Sequence, residues 1–364
     1  MVFKFSEKNK ENSKKKGNIE YIGISFGSYQ TTVSTTSGFK KTIPTMVGWA
    51  KDFIALKFLG KEAAIGCDAF DKRLSLNIYQ PLSAGILNNN SKNKEAADAL
   101  IDNILEQVRK TGSSSKIHMA IGITSKATAT NKKELIDLLS NKVDRISVVS
   151  QPFAVAYGLD ILNNALLIDI GAETIDLCLL YGTFPDERNQ ITIDSGSASI
   201  EKLLISLLKR KHENAFISDN IARGVKENFG FIGEPSEKVI TQIPVSGKLE
   251  DIDMTAELRE ASESIVPQII ESVKYLLAIL DSDYQRETRK NIYIAGAGSQ
   301  IKGIAENIEK RLQQELGSTK VTAIKDPVAT SADGLLKLAM EMPEEFWNDT
   351  STSSESETVS ADSK

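Results

Sequence analysis

The chain is 364 residues long, 41% hydrophobic and 26% charged, with a net charge of −5, the make-up of a globular protein with more than one core. The acidic balance argues against nucleic acid as a partner, and no apolar run approaches the roughly 18 residues that a membrane span requires. Two cysteines (Cys67, Cys178) and two histidines (His118, His212) are too few and too dispersed for a disulfide framework or a His/Cys metal site, and they suit a reducing, cytoplasmic setting.

Residues 1–18 (MVFKFSEKNKENSKKKGN) are polar and Lys-rich, so disorder is expected there. Met1, Val2, Phe3 and Phe5 offer too little apolar surface for insertion, so direct membrane binding is not expected. Strands are predicted at 19–26, 31–36, 117–124, 146–150, 165–170, 174–181, 190–195, 238–244 and 291–295, each aliphatic or β-branched and mostly bounded by turn residues. Spacings of three and four predict helices through Ala97-Leu100-Ile101-Ile104-Leu105-Val108 and Leu203-Leu204-Leu207-Leu208. A long helix from about Thr255 to Leu280 should bend at Pro267, and another follows Gly303. The Ser/Thr-rich, acidic tail 348–364 should again be disordered. Hairpins mixed with crossover helices indicate an α/β fold with mixed sheets.

One pattern occurs twice. IGISFGSYQTTV (22–33) and LLIDIGAETIDLCL (166–179) overlay with Asp169 on Ser25, Ile170 on Phe26 and Gly171 on Gly27, an interval of 144 residues. Two readings are open: a duplicated lobe, or two unrelated hairpins that share a Gly turn. Each turn offers backbone N–H groups to an anion, with Gly27 or Gly171 permitting close approach and Ser28, Thr31 and Thr174 adding hydroxyls. Asp169 at a strand end suits a hydrated Mg²⁺, though a lone Asp also caps turns. In NIYIAGAGSQIKGIAENI (291–308) a strand runs into Gly296-Ala297-Gly298-Ser299 before a helix, a weak nucleotide signal on its own. Lys226 and Glu227, adjacent in ARGVKENFGF, read equally well as a solvated helix face. Gln151 reads as a polar residue at a helix start.

In this order and at these intervals, the pieces resemble the actin and sugar-kinase superfamily, and within it the bacterial actins of magnetosome chains. The resemblance runs through YQPLSAGILNN (79–89), SQPFAVAYGLDILNNALLIDIGAETIDLCLLYGTFP (150–185), VKENFGFIGEPSE (225–237), NIYIAGAGSQIKGIA (291–305), IKDP (324–327) and MPEEFW (342–347). It implies a two-lobed actin-like fold of duplicated mixed-sheet domains with a nucleotide cleft between them. Lobe I would span 19–165, with a small insertion at about 46–80. Lobe II would span 166–327, with an insertion at about 203–254, and a C-terminal helix at 328–347 would return to lobe I.

The resemblance also implies roles. Gly27, Ser28 and Thr31 match the first phosphate loop, and Asp169, Gly171 and Thr174 the second, with Asp169 holding Mg²⁺ through water. Lys226 and Glu227 match the residues that hold ribose and base. Gly296, Gly298 and Ser299 match the adenosine turn, and Gln151 the residue that polarises the attacking water. The implied activity is ATP-dependent self-assembly into cytoplasmic filaments that position magnetosomes, with another actin-like protein or magnetosome membrane adaptors as further partners. Three departures bear on hydrolysis: Ser25 stands where the family has Asp, Gln151 where bacterial actins have Glu, and Glu173 where the turn has Gly. Glu173 is expected to repel the γ-phosphate, and to add strain if its φ is positive, rather than to compensate for Ser25. Slow or impaired hydrolysis follows. A nucleotide-binding scaffold without turnover, acting on a partner filament, is the alternative.

Overall fold

A computed structural model describes residues 19–111, 114 and 116–349. The chain divides into two compact units. The first comprises the described residues up to Ile123, Ala127–Val149 and those from Ala332 onward, and the second comprises Thr124–Lys126 and Ser150–Ser331.

The first unit is built on a six-stranded sheet in the order Asn348–Asp349, Arg145–Ser150, Lys116–Ile123, Ile19–Phe26, Gln30–Thr35, Lys40–Pro44. Ile19–Phe26 lies inside it, antiparallel to Gln30–Thr35 and parallel to Lys116–Ile123. The apolar stripe predicted from Ala97 to Val108 is buried on the helix Ser91–Thr111, within the core that holds Ile22, Ile24 and Phe26. A second helix, Ala329–Glu341, meets the strand Ile19–Phe26 at Gly23. There a Cβ would lie 2.3 Å from the Ala332 carbonyl oxygen and 2.4 Å from the Leu336 nitrogen, so only glycine permits the approach. Ser34 and Lys40 fasten the same helix by donating to the Asp333 carboxylate at 2.7 and 2.9 Å. Within residues 46–80 a three-stranded sheet (Ala63–Ile65, Val47–Ala50, Leu76–Tyr79) has its own small core of Leu59, Ala64, Ala69 and Leu76.

The second unit carries a five-stranded sheet in the order Gln190–Ile193, Ile175–Leu180, Ala165–Ile170, Ile292–Ala295, Val321–Ala323. Both central strands, ALLIDI and IDLCLL, are buried at every position, as a sheet covered on both faces requires. The helices Ala198–Lys211, Val266–Ala278 and Ile304–Leu316 supply much of the apolar cover. The helix Gln151–Gly158 packs on both strands of the hairpin and belongs to this unit, although the sequence division was placed after residue 165.

Three expectations need correction. The helix expected to bend at Pro267 is two helices, Thr255–Glu263 and Val266–Ala278. Pro267 sits in the first turn of the second, where its missing N–H leaves no hydrogen bond unmade. The strand expected at 238–244 is half of a hairpin, Ile240–Val245 with Lys248–Asp253. Its Ser246-Gly247 turn has φ of 48° and 82°, the geometry of a two-residue hairpin loop. The polar character of KLEDID concealed its second strand. Finally, Asn348 and Asp349, placed in the expected disordered tail, pair with Ile146 and Arg145. Residues 1–18 and 350–364 lie outside the described residues. Among the described residues no helix is long and apolar enough to cross a membrane.

Candidate functional site

The two hairpins have the same local geometry. In the first, Ser25 pairs with Thr32 and Phe26 with Thr31, and Gly27 donates its N–H to the Gln30 carbonyl at 3.2 Å. In the second, Asp169 pairs with Asp176 and Ile170 with Ile175, and Gly171 donates to Thr174 at 2.9 Å. Every pair is offset by 144 residues, with no insertion. A Cβ at either glycine would crowd the turn's own carbonyl, 2.8 Å from Gln30 O and 2.9 Å from Thr174 O.

The hydroxyls singled out from the sequence are not equivalent under this offset: Thr174 corresponds to Gln30, and Thr31 to Ile175. In the first unit Thr31 has no exposed surface, and its hydroxyl shares a 2.8 Å hydrogen bond with Thr45, which donates to Gly27 O at 2.7 Å. Ser28 Oγ accepts from the Gly85 N–H at 3.0 Å. In this arrangement both hydroxyls shape the first turn.

In the second unit the turn is stitched to the start of the helix Ala198–Lys211. Gly196, Ser197 and Ala198 donate their N–H groups to the carbonyls of Glu173, Gly171 and Ala172 at 3.0, 2.9 and 2.8 Å. Because a trans peptide sets N–H opposite C=O, the N–H groups of Ala172, Glu173 and Thr174 point away from that helix. Successive N–H groups turned outward make an anion-binding concavity. Glu173 is not among the residues with positive φ, so the expected strain from replacing glycine there is absent. Only the effect of its charge remains.

Asp169 ends its strand 5% exposed, and burial together with the neighbouring Asp176 pushes its carboxyl up to about 7. Asp176 is the site residue that sequence reasoning missed. Its Oδ1 accepts from the Thr124 hydroxyl and the Ser125 N–H, both at 2.8 Å, and from the Thr192 hydroxyl at 2.5 Å, while Oδ2 accepts from Thr174 at 3.0 Å. Burial raises its carboxyl, and these bonds oppose the rise. An Asp inside the apolar run IDLCLL was the available signal, since a buried carboxylate needs donors.

The Gly296 turn lies directly against this carboxylate. A Cβ at Gly296 would sit 2.3 Å from Asp169 Oδ1, and one at Gly298 would sit 2.3 Å from Ile170 Cγ2. Ser299, 7% exposed, closes the turn by donating its hydroxyl to Gly296 O at 2.7 Å. Of the adjacent charged pair, Glu227 is exposed, whereas Lys226 turns inward to Glu201 at 2.6 Å. Gln151 opens the helix Gln151–Gly158, half-buried, with Pro152 in its first turn. The second unit thus brings Gly296, Gly298 and Ser299 against Asp169 and the strand end before Gly171 and Thr174, while Lys226 reaches only the start of the helix bonded to that turn.

The donor set fits a nucleotide-borne metal better than a protein-caged one. Among the described residues no group of three or more His, Cys, Asp or Glu could hold an ion. With Asp176 taken up by four donors, Asp169 is the buried carboxylate left beside the concavity, which suits Mg²⁺ that keeps waters and phosphate oxygens as its other ligands.

Two sheet-bearing units that carry the same glycine-turned hairpin define an actin-like fold. The chain belongs to the MreB/Mbl family, whose model matches residues 20–345. It is 34% identical to Actin-like protein MamK of Magnetospirillum gryphiswaldense over 343 residues, 94% of this chain and 95% of that protein. A MamK-like protein of Paramagnetospirillum magneticum is 32% identical over 91% of this chain and 97% of its own length. Among solved structures, a MamK double helical filament is 34% identical with a TM-score of 0.87, over 90% of this chain and 100% of that one. A non-polymerising MamK mutant bound to AMPPNP is 34% identical with a TM-score of 0.71, over 89% and 100%.

Proposed function

We propose that this chain is an ATP-binding actin-like cytoskeletal protein that polymerises into cytoplasmic filaments and organises or positions magnetosomes. The observation that carries the nucleotide reading is Gly296 seated against Asp169, with the N–H groups of Ala172, Glu173 and Thr174 turned outward beside it. The relatives support the filament and nucleotide parts of this reading: MamK forms filaments, and a MamK mutant binds AMPPNP.

In this reading Asp169 orients the waters of Mg²⁺, and the Gly171 turn holds phosphate oxygens. Lys226 and Glu227 serve the ribose and base, and Gly296, Gly298 and Ser299 form a surface for adenosine. Mg²⁺ supplies charge neutralisation of the phosphates when bound. Gln151 orients the attacking water but has no useful basicity near neutral pH, so turnover is slow. The chain's partners are further copies of itself, with magnetosome membrane adaptors as additional ones.

Pelleting with ATP, with AMPPNP and without nucleotide, alongside phosphate release, tests this reading. Nucleotide-dependent pelleting with slow release is expected, and pelleting indifferent to nucleotide would overturn it. A second reading has its own support. Paramagnetospirillum magneticum carries both a MamK and a MamK-like protein, so co-assembly of this chain with a partner actin-like filament, without turnover, remains the alternative. Phosphate release from polymer separates the two.

Glu173 gives a further expected result. Its carboxylate adds negative charge to a turn built for an anion, so Glu173→Gly should tighten Mg²⁺-ATP binding by about tenfold. The gain should be largest with Ser25→Asp, and titration calorimetry on both singles and the double measures it. Weaker binding by Glu173→Gly, restored in the double, would assign Glu173 a compensating role instead.

A further inference from the structure

We propose that Glu201 is a positioning residue for the nucleotide site, acting by holding the Lys226 ammonium in place. The inference rests on the nucleotide reading above and goes beyond it, since nothing in the sequence pattern points to Glu201.

Lysine carries its charge on a flexible four-carbon stem, so a lysine that is to meet a ligand at a fixed point needs an anchor. Here the anchor is buried. The Lys226 and Glu201 side chains are 11% and 6% exposed, and Nζ lies 2.6 Å from Oε1. Glu201 is itself fixed, one turn into the helix whose start, Gly196 to Ala198, is bonded to the carbonyls of Gly171, Ala172 and Glu173. The same ammonium reaches the Ser197 carbonyl at 3.5 Å, and Ser197 donates to Gly171 O at 2.9 Å. A short rigid path therefore runs from the phosphate turn through the helix start and Glu201 to Lys226. An ammonium has three donors. The structure engages two of them, which leaves one for a ligand oxygen.

Charge points the same way. Arg223 Nε approaches the other Glu201 oxygen at 3.6 Å, so one carboxylate serves two cations. The cluster keeps a net positive charge, which favours an anion there.

The test is a double-mutant cycle on Mg²⁺-ATP affinity with Glu201→Gln, Lys226→Met and the pair. Each single should weaken binding about tenfold, and the double should bind no more weakly than Lys226→Met alone. Melting temperatures, by contrast, can fall in all three, so the absence of a further affinity loss in the double is what a merely structural role would not produce. Glu201→Asp keeps the charge and the fold while withdrawing the carboxylate by one methylene, and should lose about threefold. Unchanged affinity in Glu201→Gln or Glu201→Asp, or a double whose loss is the product of the singles, would overturn the proposal. Failure of the unaltered chain to bind Mg²⁺-ATP would instead remove the nucleotide reading, and this proposal with it.

Discussion

Asp169→Asn is expected to make the nucleotide-free protein more stable at pH 8 and to abolish its response to Mg²⁺-ATP. In the fold, burial and Asp176 hold the Asp169 carboxyl near 7, whereas an unfolded Asp titrates near 3.9. The native state therefore binds the proton more tightly than the unfolded one. Its stabilising contribution is complete below about pH 4 and is lost progressively as pH rises through 7. Above that, an ionised buried carboxylate costs about 4 kcal/mol as an order of magnitude. Asparagine has the same shape and never ionises, so the variant should melt several degrees higher at pH 8 and converge with the parent near pH 4. On the proposed reading it also removes the carboxylate that orients the waters of Mg²⁺. Thermal unfolding at pH 4 and pH 8, with and without Mg²⁺-ATP, measures both effects. A variant that melts lower at pH 8 yet keeps its nucleotide shift would refute the account of Asp169.

Gly23→Ala should destabilise the first unit by about 3 kcal/mol or more, the range of severe overpacking. The added methyl would meet backbone atoms, Ala332 O at 2.3 Å and Leu336 N at 2.4 Å, with Leu335 C at 3.0 Å. None is the end of a flexible side chain, so the helix Ala329–Glu341 must lift. Lifting exposes Ala332 and Leu335, both without exposed surface now, and breaks the Asp333 bonds to Ser34 and Lys40. Gly38→Ala is the control: its φ is 84° with nothing within 4 Å of a Cβ, so only the left-handed penalty of about 1–2 kcal/mol applies. Amide exchange across 329–341 should accelerate in Gly23→Ala and stay unchanged in Gly38→Ala. Equal, small losses in both would show that the helix adapts.

How far the sequence reaches can be judged from these same residues. The duplicated hairpin was legible because its signal is local: an apolar run, a short polar residue, a glycine, and a period-two pattern that survives any surroundings. The helix stripe from Ala97 to Val108 was legible for the same reason. Asp176 and Glu201 were not, because their roles depend on partners distant in the chain. Thr124 lies 52 residues from Asp176, and Lys226 lies 25 from Glu201. Gly23 looked like an ordinary strand glycine, and its requirement appears only when a helix some 310 residues later lies against it. The second strand Lys248–Asp253 was hidden because it is largely exposed, so no alternation marks it. Local pattern thus located the turns, while the groups that tension and neutralise them come from long-range packing.

The return of the helix Ala329–Glu341 to Gly23 also orders events during synthesis. Apart from Thr124–Lys126, the second unit is one continuous stretch, Ser150–Ser331. It can close as soon as that stretch has left the ribosome. The first unit is interrupted, and its sheet and helix layer are completed only by residues from Ala332 onward. Until then the face of its strand Ile19–Phe26 that carries Gly23 lacks the helix that covers it. A strand made before the whole of the second unit's continuous stretch is thus covered only after that stretch is complete. A nascent chain stalled before residue 332 would present a finished second unit beside an open first one, the kind of exposed sheet that chaperones hold.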